Sequence, residues 1–134
     1  MTTADHLVVD ASTAVNALTD LGEIGERVRA ALRGRSWIVP EQFRVEVFNG
    51  IRGLERGGKI DPVDAEEAVA HLAVMDLQTV SSAPLLPRMW ELRANITGYD
   101  AAYVVVAERL DIPLLTTDRR LAAATGPRCR ILTP

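Results

Sequence analysis

Leu7-Val8-Val9-Asp10-Ala11-Ser12-Thr13-Ala14-Val15-Asn16-Ala17-Leu18 is the stretch whose reading decides the fold. A short aliphatic run ends at an acid, and Ser12 then stands where a helix N-cap belongs, ahead of Ala14, Val15, Ala17 and Leu18. A strand therefore runs into a helix at Asp10. Outward from this turn, strand-length apolar runs alternate with segments of helical period, the pattern of an α/β domain with a mostly parallel sheet. Ile24, Val28, Ala31 and Leu32 share one helical face that Gly34 closes, and Trp37-Ile38-Val39 reads as a second strand stopped by Pro40. The next helix opens at Glu41 and is expected to bury Phe43, Val47, Phe48, Ile51 and Leu54 before Gly57-Gly58 ends it. Asp61-Pro62 starts another helix, with the acid as cap and the proline at the first position.

Further along, Leu77 to Val80 is a weak third strand, and a helix from Ser82 or Ala83 is expected to run through Trp90, Leu92 and Ile96. Gly98-Tyr99 breaks it and Asp100 starts the next, which turns Ala101, Val104, Val105 and Leu110 inward. Pro113 to Thr116 is a fourth strand leading into Asp118 and a short helix with Leu121 and Ala122, and Arg130 to Thr133 is a last short strand. No linker, repeat or low-complexity tract interrupts residues 1–134, which are read as one domain.

Composition sets the boundaries of function. The chain has 134 residues, 48% of them hydrophobic and 25% charged, far from the composition of disordered chains. The longest apolar run, Ala101 to Ala107, is too short for a membrane span, and Asp5 stands where a secretion signal would be basic then apolar. A soluble, cytoplasmic protein is the expectation, in keeping with the lone Cys129, which excludes an internal disulfide and a cysteine-based zinc cage. A net charge of −3 speaks at first against a basic nucleic-acid glove.

Three aspartates lie at element boundaries. Asp10 and Asp118 follow strands and so belong on one edge of the sheet, where ligands of open α/β folds bind, while Asp100 opens a helix. Glu46 sits between Val45 and Val47 in an apolar helix, a placement in conflict with the cost of burying a carboxylate. The plain alternatives are N-caps for Asp100 and Asp118, a strand end for Asp10, and a helix rotated to water for Glu46. If the four converge, charges about 5 Å apart repel by roughly 3 kcal/mol per pair at an effective dielectric near 20. A divalent cation offsets that repulsion, and hard oxygen ligands select Mg²⁺ or Mn²⁺, the ions that serve phosphodiester hydrolysis.

Four blocks together resemble PIN-domain ribonucleases, and among them the VapC-type toxins of bacterial toxin–antitoxin pairs. They are Leu7-Val8-Val9-Asp10-Ala11-Ser12, Glu46 within Pro40 to Glu46, Tyr99-Asp100-Ala101-Ala102-Tyr103, and Leu114-Leu115-Thr116-Thr117-Asp118-Arg119-Arg120-Leu121, in family order across the whole chain. The resemblance implies a three-layer α/β/α sandwich and an endoribonuclease dependent on Mg²⁺ or Mn²⁺ that leaves 3′-hydroxyl and 5′-phosphate ends. It also implies a homodimer and restraint by a small VapB-type antitoxin. By position, Asp10, Glu46, Asp100 and Asp118 match the family's acidic quartet, as catalytic metal ligands held directly or through water. Ser12 matches the small hydroxyl residue after the first acid, with helix capping its larger role, and Thr116 matches a hydroxyl residue that supports the site from behind. Small Ala101 and Ala102 would let the helix of Asp100 approach the sheet closely.

Other residues carry less. His6 and His71 lack metal-ligand spacing, no glycine-rich phosphate loop is present, and Met89 and Trp90 are expected in the core. Arg44, Arg93, Arg119 and Arg120 are candidates for phosphate contacts. A receiver-like phosphoacceptor domain would want a second acid beside Asp10 and a lysine after a late strand, but Ser12 and the misplaced Lys59 fail it. A catalytically silent interaction module, its acids binding a basic partner segment, is the remaining alternative. Two divalent ions bound among the acids would turn the net charge from −3 to +1, so the acidic balance does not exclude an RNA substrate.

Overall fold

A computed structural model describes residues 5–134; of the single domain expected over 1–134, residues 1–4 lie outside the described residues. Strand β1 (His6–Val9) leads into α1 (Ala11–Thr19) and α2 (Glu23–Leu32), then β2 (Ser36–Pro40), α3 (Phe43–Arg56), α4 (Pro62–Val74) and β3 (Gln78–Val80). A 3₁₀ turn (Ala83–Leu85) and α5 (Leu86–Glu91) precede α6 (Gly98–Leu110), β4 (Leu114–Leu115), α7 (Arg119–Ala122) and β5 (Ile131–Leu132).

The strands form one sheet in the order β3-β2-β1-β4-β5, and every pairing is parallel. The chain moves outward from β1 to β3 through α1–α4, then returns past β1 to β4 through α5 and α6. Parallel crossovers are right-handed, so the outward and return helices cover opposite faces and give the three-layer sandwich. The order reverses between β1 and β4, where Val8 is paired with Leu114 and Val9 with Leu115. Such a switch point opens a crevice at the C-terminal ends of the strands. The receiver-like alternative would have required the order 2-1-3-4-5.

Two features bring α3 and α6 to that crevice. A Cβ on Gly50 would lie 2.7 Å from Val15 Cγ2, so only glycine lets α3 settle this closely on α1. In α6 every residue from Ala101 to Ala107 is buried, the small Ala101 and Ala102 among them, and the helix packs against β1, β2 and β4. Gly58, at φ +70°, supplies the left-handed residue that turns the chain after α3.

Several local expectations change. Asp10, not Ser12, is the N-cap of α1, because its carboxylate accepts the Thr13 N–H. The helix expected through Ile96 stops at Glu91, after which turns carry the chain to α6. Phe48, Ile24, Leu110 and Trp90 are exposed rather than buried. No helix of the described residues is long and apolar enough to cross a membrane.

Candidate active site

Asp10 follows the C-terminal end of β1 and is only 3% exposed, and both of its carboxylate oxygens accept hydrogen bonds. Oδ1 accepts from the Thr13 backbone N–H at 3.0 Å, from Ser12 Oγ at 3.3 Å and from Thr13 Oγ1. Oδ2 accepts from Thr116 Oγ1, the hydroxyl at the end of β4. Both buried threonines also reach the β4–α7 turn: Thr116 Oγ1 accepts from Asp118 N at 2.9 Å and Thr13 Oγ1 accepts from Thr117 N at 3.0 Å. Asn16 Nδ2 donates to Thr117 Oγ1 at 3.2 Å and extends the network along α1. Two hydroxyls thus tie the acid of one strand end to the backbone of the next across the switch point. A carboxylate offers about four lone-pair sites, so Oδ2 is the Asp10 oxygen with acceptor capacity to spare.

Asp118 is the N-cap of α7, its Oδ1 accepting from Arg120 N at 2.9 Å and Leu121 N at 3.4 Å. Asp100 lies in the first turn of α6 and does not cap it; Thr97 does, accepting the Asp100 N–H at 3.2 Å. That leaves the Asp100 carboxyl clear of the capping role. Glu46 is half-buried on α3, where Tyr103 OH of α6 donates to Oε1 at 3.0 Å. Burial pushes the Tyr103 hydroxyl well above its ordinary range, followed by the charge of Glu46, so it stays protonated and donates.

The four acids feel one another. Burial raises the Glu46 carboxyl above its ordinary value; hydrogen bonds from Tyr103 and Gln42 oppose the rise, and the charges of Asp100 and Asp10 add to it. Burial also raises Asp100, helped by Asp10 and Asp118 and opposed by Thr97 and Arg120. Burial is the main cause of both shifts, and neighbouring like charges add to it; Arg120, the cation that opposes the rise at Asp100, lies 4.0 Å from Asp118 and is itself exposed. Asp100 and Asp118 face a cleft of about 430 Å³ walled by the α5–α6 connection, with Arg93 and Arg120 also lining it.

Among the described residues no three His, Cys, Asp or Glu side chains close into a ready-made metal cage. The arrangement is an open set of carboxylates on one edge, with hydroxyls behind Asp10. Its donors are all hard oxygens, a chemistry that fits Mg²⁺ or Mn²⁺ completing its shell with water, and the raised carboxyls of Glu46 and Asp100, each pushed up by burial and then by neighbouring acids, fit a site that a cation would relieve.

Of the residues singled out by sequence, Thr116 and Ser12 both donate to Asp10, although Ser12 is exposed. Arg44 is not at the cleft: its guanidinium donates to the carbonyls of Leu72 and Met75 at the end of α4. Thr13 and Tyr103 escaped sequence reasoning. Thr13 carried one signal, a hydroxyl three residues beyond a strand-ending acid, within reach of that acid once a helix forms. Tyr103 carried none, because a helix buried all round has no periodicity to mark one side as special.

The family profile described as PIN domain matches residues 7–127. The chain belongs to the PIN-domain family. Ribonuclease VapC1 of Mycobacterium tuberculosis H37Rv is 38% identical over 131 residues, covering 95% of this chain and 96% of the relative. Ribonuclease VapC9 of the same strain is 32% identical over 125 residues, covering 93% and 95%. These place this PIN domain among VapC-type members. The crystal structure of PAE2754 from Pyrobaculum aerophilum superposes with a TM-score of 0.67 at 24% identity, covering 96% of this chain and 83% of that one. M. tuberculosis VapC20, described as a sarcin-ricin-loop-cleaving toxin, gives 0.66 at 15% identity, covering 87% and 93%. Both share the fold of this PIN domain.

Proposed function

We propose that this PIN domain is a divalent-metal-dependent endoribonuclease, the toxin of a toxin–antitoxin pair, acting in the cytoplasm as a homodimer. The observation that supports the reading is electrostatic coupling beyond burial: the charges of Asp100 and Asp10 raise the Glu46 carboxyl, and those of Asp10 and Asp118 raise Asp100. VapC relatives named as ribonucleases support RNA as the substrate, and fold neighbours solved as VapBC2 and FitAB assemblies support an antitoxin of the VapB type.

Asp10, Glu46, Asp100 and Asp118 would hold Mg²⁺ or Mn²⁺, directly or through water. Such an ion supplies Lewis acidity toward a phosphoryl oxygen and makes water a better nucleophile at neutral pH. The chain's own residues do the positioning. Thr13 and Thr116 fix both oxygens of Asp10 and join it to the turn carrying Asp118, and Tyr103 orients Glu46. Arg93 and Arg120 offer guanidinium groups to phosphates entering the cleft.

Cleavage mapping of total RNA, with wild type and Asp100→Asn protein and with and without Mn²⁺, tests the reading. Discrete Mn²⁺-dependent cuts by wild type alone are expected. Intact RNA in every lane would contradict the reading and favour a silent interaction module.

A further inference from the structure

Trp90 stands at the C-terminal turn of α5 and is 66% exposed, although tryptophan has more apolar surface to bury than any other side chain. The segment is not short of inward positions, since Leu85 and Leu92 are fully buried and Met89 packs on the core. The indole is held outward by Arg93, whose guanidinium carbon lies 4.2 Å from the ring centroid and whose Nη1 donates to the Trp90 carbonyl at 2.9 Å. The same Arg93 lines the cleft with Asp100 and Asp118. An aromatic face and a planar cation are therefore joined into one unit that reaches from the outer surface to the mouth of the candidate active site.

Arg93 makes no ion pair among the described residues and commits a single N–H to the Trp90 carbonyl, of the five a guanidinium carries. Stacking and that bond fix its plane in advance, so little side-chain entropy remains to be lost when an anion docks. Glu91 and Asn95 are exposed beside the indole in sequence, and Leu86, one turn earlier on α5, is exposed as well, so the indole stands at a border between a small apolar edge and the cation that lines the cleft. A second exposed aromatic, Tyr99, directly precedes Asp100. A nucleotide presents what this unit lacks, a flat π face and an anion within one residue of each other.

We infer that Trp90 and Arg93 form a nucleotide platform, on which an unpaired base of single-stranded RNA stacks against the indole while Arg93 takes a backbone phosphate at the cleft mouth. The inference rests on the ribonuclease reading and adds to it two residues of this chain, outside the carboxylates, that hold the incoming strand. Stacking of this kind is sequence-tolerant, and it distinguishes unpaired from duplex RNA.

The test is fluorescence anisotropy with a short fluorescein-labelled single-stranded RNA and the corresponding duplex, in EDTA so that the probe survives. Wild type is expected to prefer the single strand. Trp90→Ala should weaken single-strand binding about 5- to 150-fold. Trp90→Phe should retain most of the affinity, whereas Trp90→Leu, apolar without a π face, should be as weak as Trp90→Ala. Arg93→Ala should lower the salt dependence by about 0.7 in log–log slope, and Trp90→Ala should leave that slope unchanged. Equal affinity of wild type and Trp90→Ala for the single strand would overturn the platform and leave the ribonuclease reading standing. Failure of wild type to bind either RNA would likewise overturn the platform, which needs no metal, while the Mn²⁺-dependent cleavage mapping decides the ribonuclease reading separately. Sedimentation supplies the remaining arm: a loss of oligomer in Trp90→Ala would make the indole a contact between copies of this chain and overturn the platform.

Discussion

Helix α6 carries Asp100 near its first turn and Glu108 near its last, about 12 Å apart along the axis, and the fold surrounds the two acids in opposite ways. Around Glu108, Arg88 Nε donates to Oε1 at 2.9 Å, Arg88 Nη2 to Oε2 at 3.1 Å, and the Arg128 N–H to Oε2 at 2.7 Å. Burial pushes the Glu108 carboxyl up, but the bonds and charges from Arg88 and Arg128 outweigh it and hold the group below its ordinary value. Around Asp100 burial raises the carboxyl and the charges of Asp10 and Asp118 add to it, while Thr97 and Arg120 oppose the rise without reversing it. Partial burial acts in the same direction at both ends, so the partners decide the sign. The end of α6 away from the switch point is electrostatically complete; the end at the switch point is short of positive charge that a cation or an arginine can bring.

The largest effect should come from breaking the completed end. Arg88→Met leaves a largely buried Glu108 with only a backbone donor and should cost about 2–3 kcal/mol in urea denaturation, while RNA cleavage per folded molecule stays unchanged. Thr13→Val attacks the other end through its support, removing the hydroxyl shared by Asp10 and the Thr117 N–H. A loss of about 1–2 kcal/mol is expected, together with a fall in cleavage that Arg88→Met does not show.

The smallest effect has the opposite sign. Glu46→Gln keeps an acceptor for Tyr103 but removes a repelling charge, so the metal-free protein at neutral pH should gain roughly 0.5 kcal/mol, a figure kept low because half-exposed charges are screened. Acid sharpens the contrast. Glu46 has a raised folded value, so it binds protons more readily folded than unfolded; its penalty is present above that value and disappears as pH falls through it toward the ordinary 4.5. Glu108 has a lowered folded value, so its contribution is present above 4.5 and is lost only as pH falls through the folded value beneath it. Thermal unfolding across a pH series should therefore show the gain of Glu46→Gln shrinking first on acidification, and the cost of Glu108→Gln shrinking later.

Much of this was legible in the sequence because local chemistry carried it. The apolar run before Asp10, the Asp61-Pro62 start of α4 and the strand leading to Asp118 each form for reasons contained within a few residues. What could not be read depends on contacts far apart in the chain. The strand order that puts β4 beside β1 is a tertiary outcome, and with it the bond from Thr116 to Asp10. Asp100 reads as a cap until Thr97, three residues earlier, proves to hold that position. Trp90 reads as core because size predicts burial, yet the helix meant to bury it ends one residue later and Arg93 stacks on it instead. Glu46 was found by its conflict with an apolar helix, and the resolution of that conflict, Tyr103, lay 57 residues away.

Mn²⁺-dependent thermal stabilisation of the wild type and of the single variants Asp10→Asn, Glu46→Gln, Asp100→Asn and Asp118→Asn tests the central claim most directly, that these four acids form one divalent-ion site. Saturating Mn²⁺ should stabilise wild type, by about 2.7 kcal/mol at a hundredfold excess over Kd, and should stabilise each variant far less. Equal stabilisation of wild type and all four variants would contradict the claim.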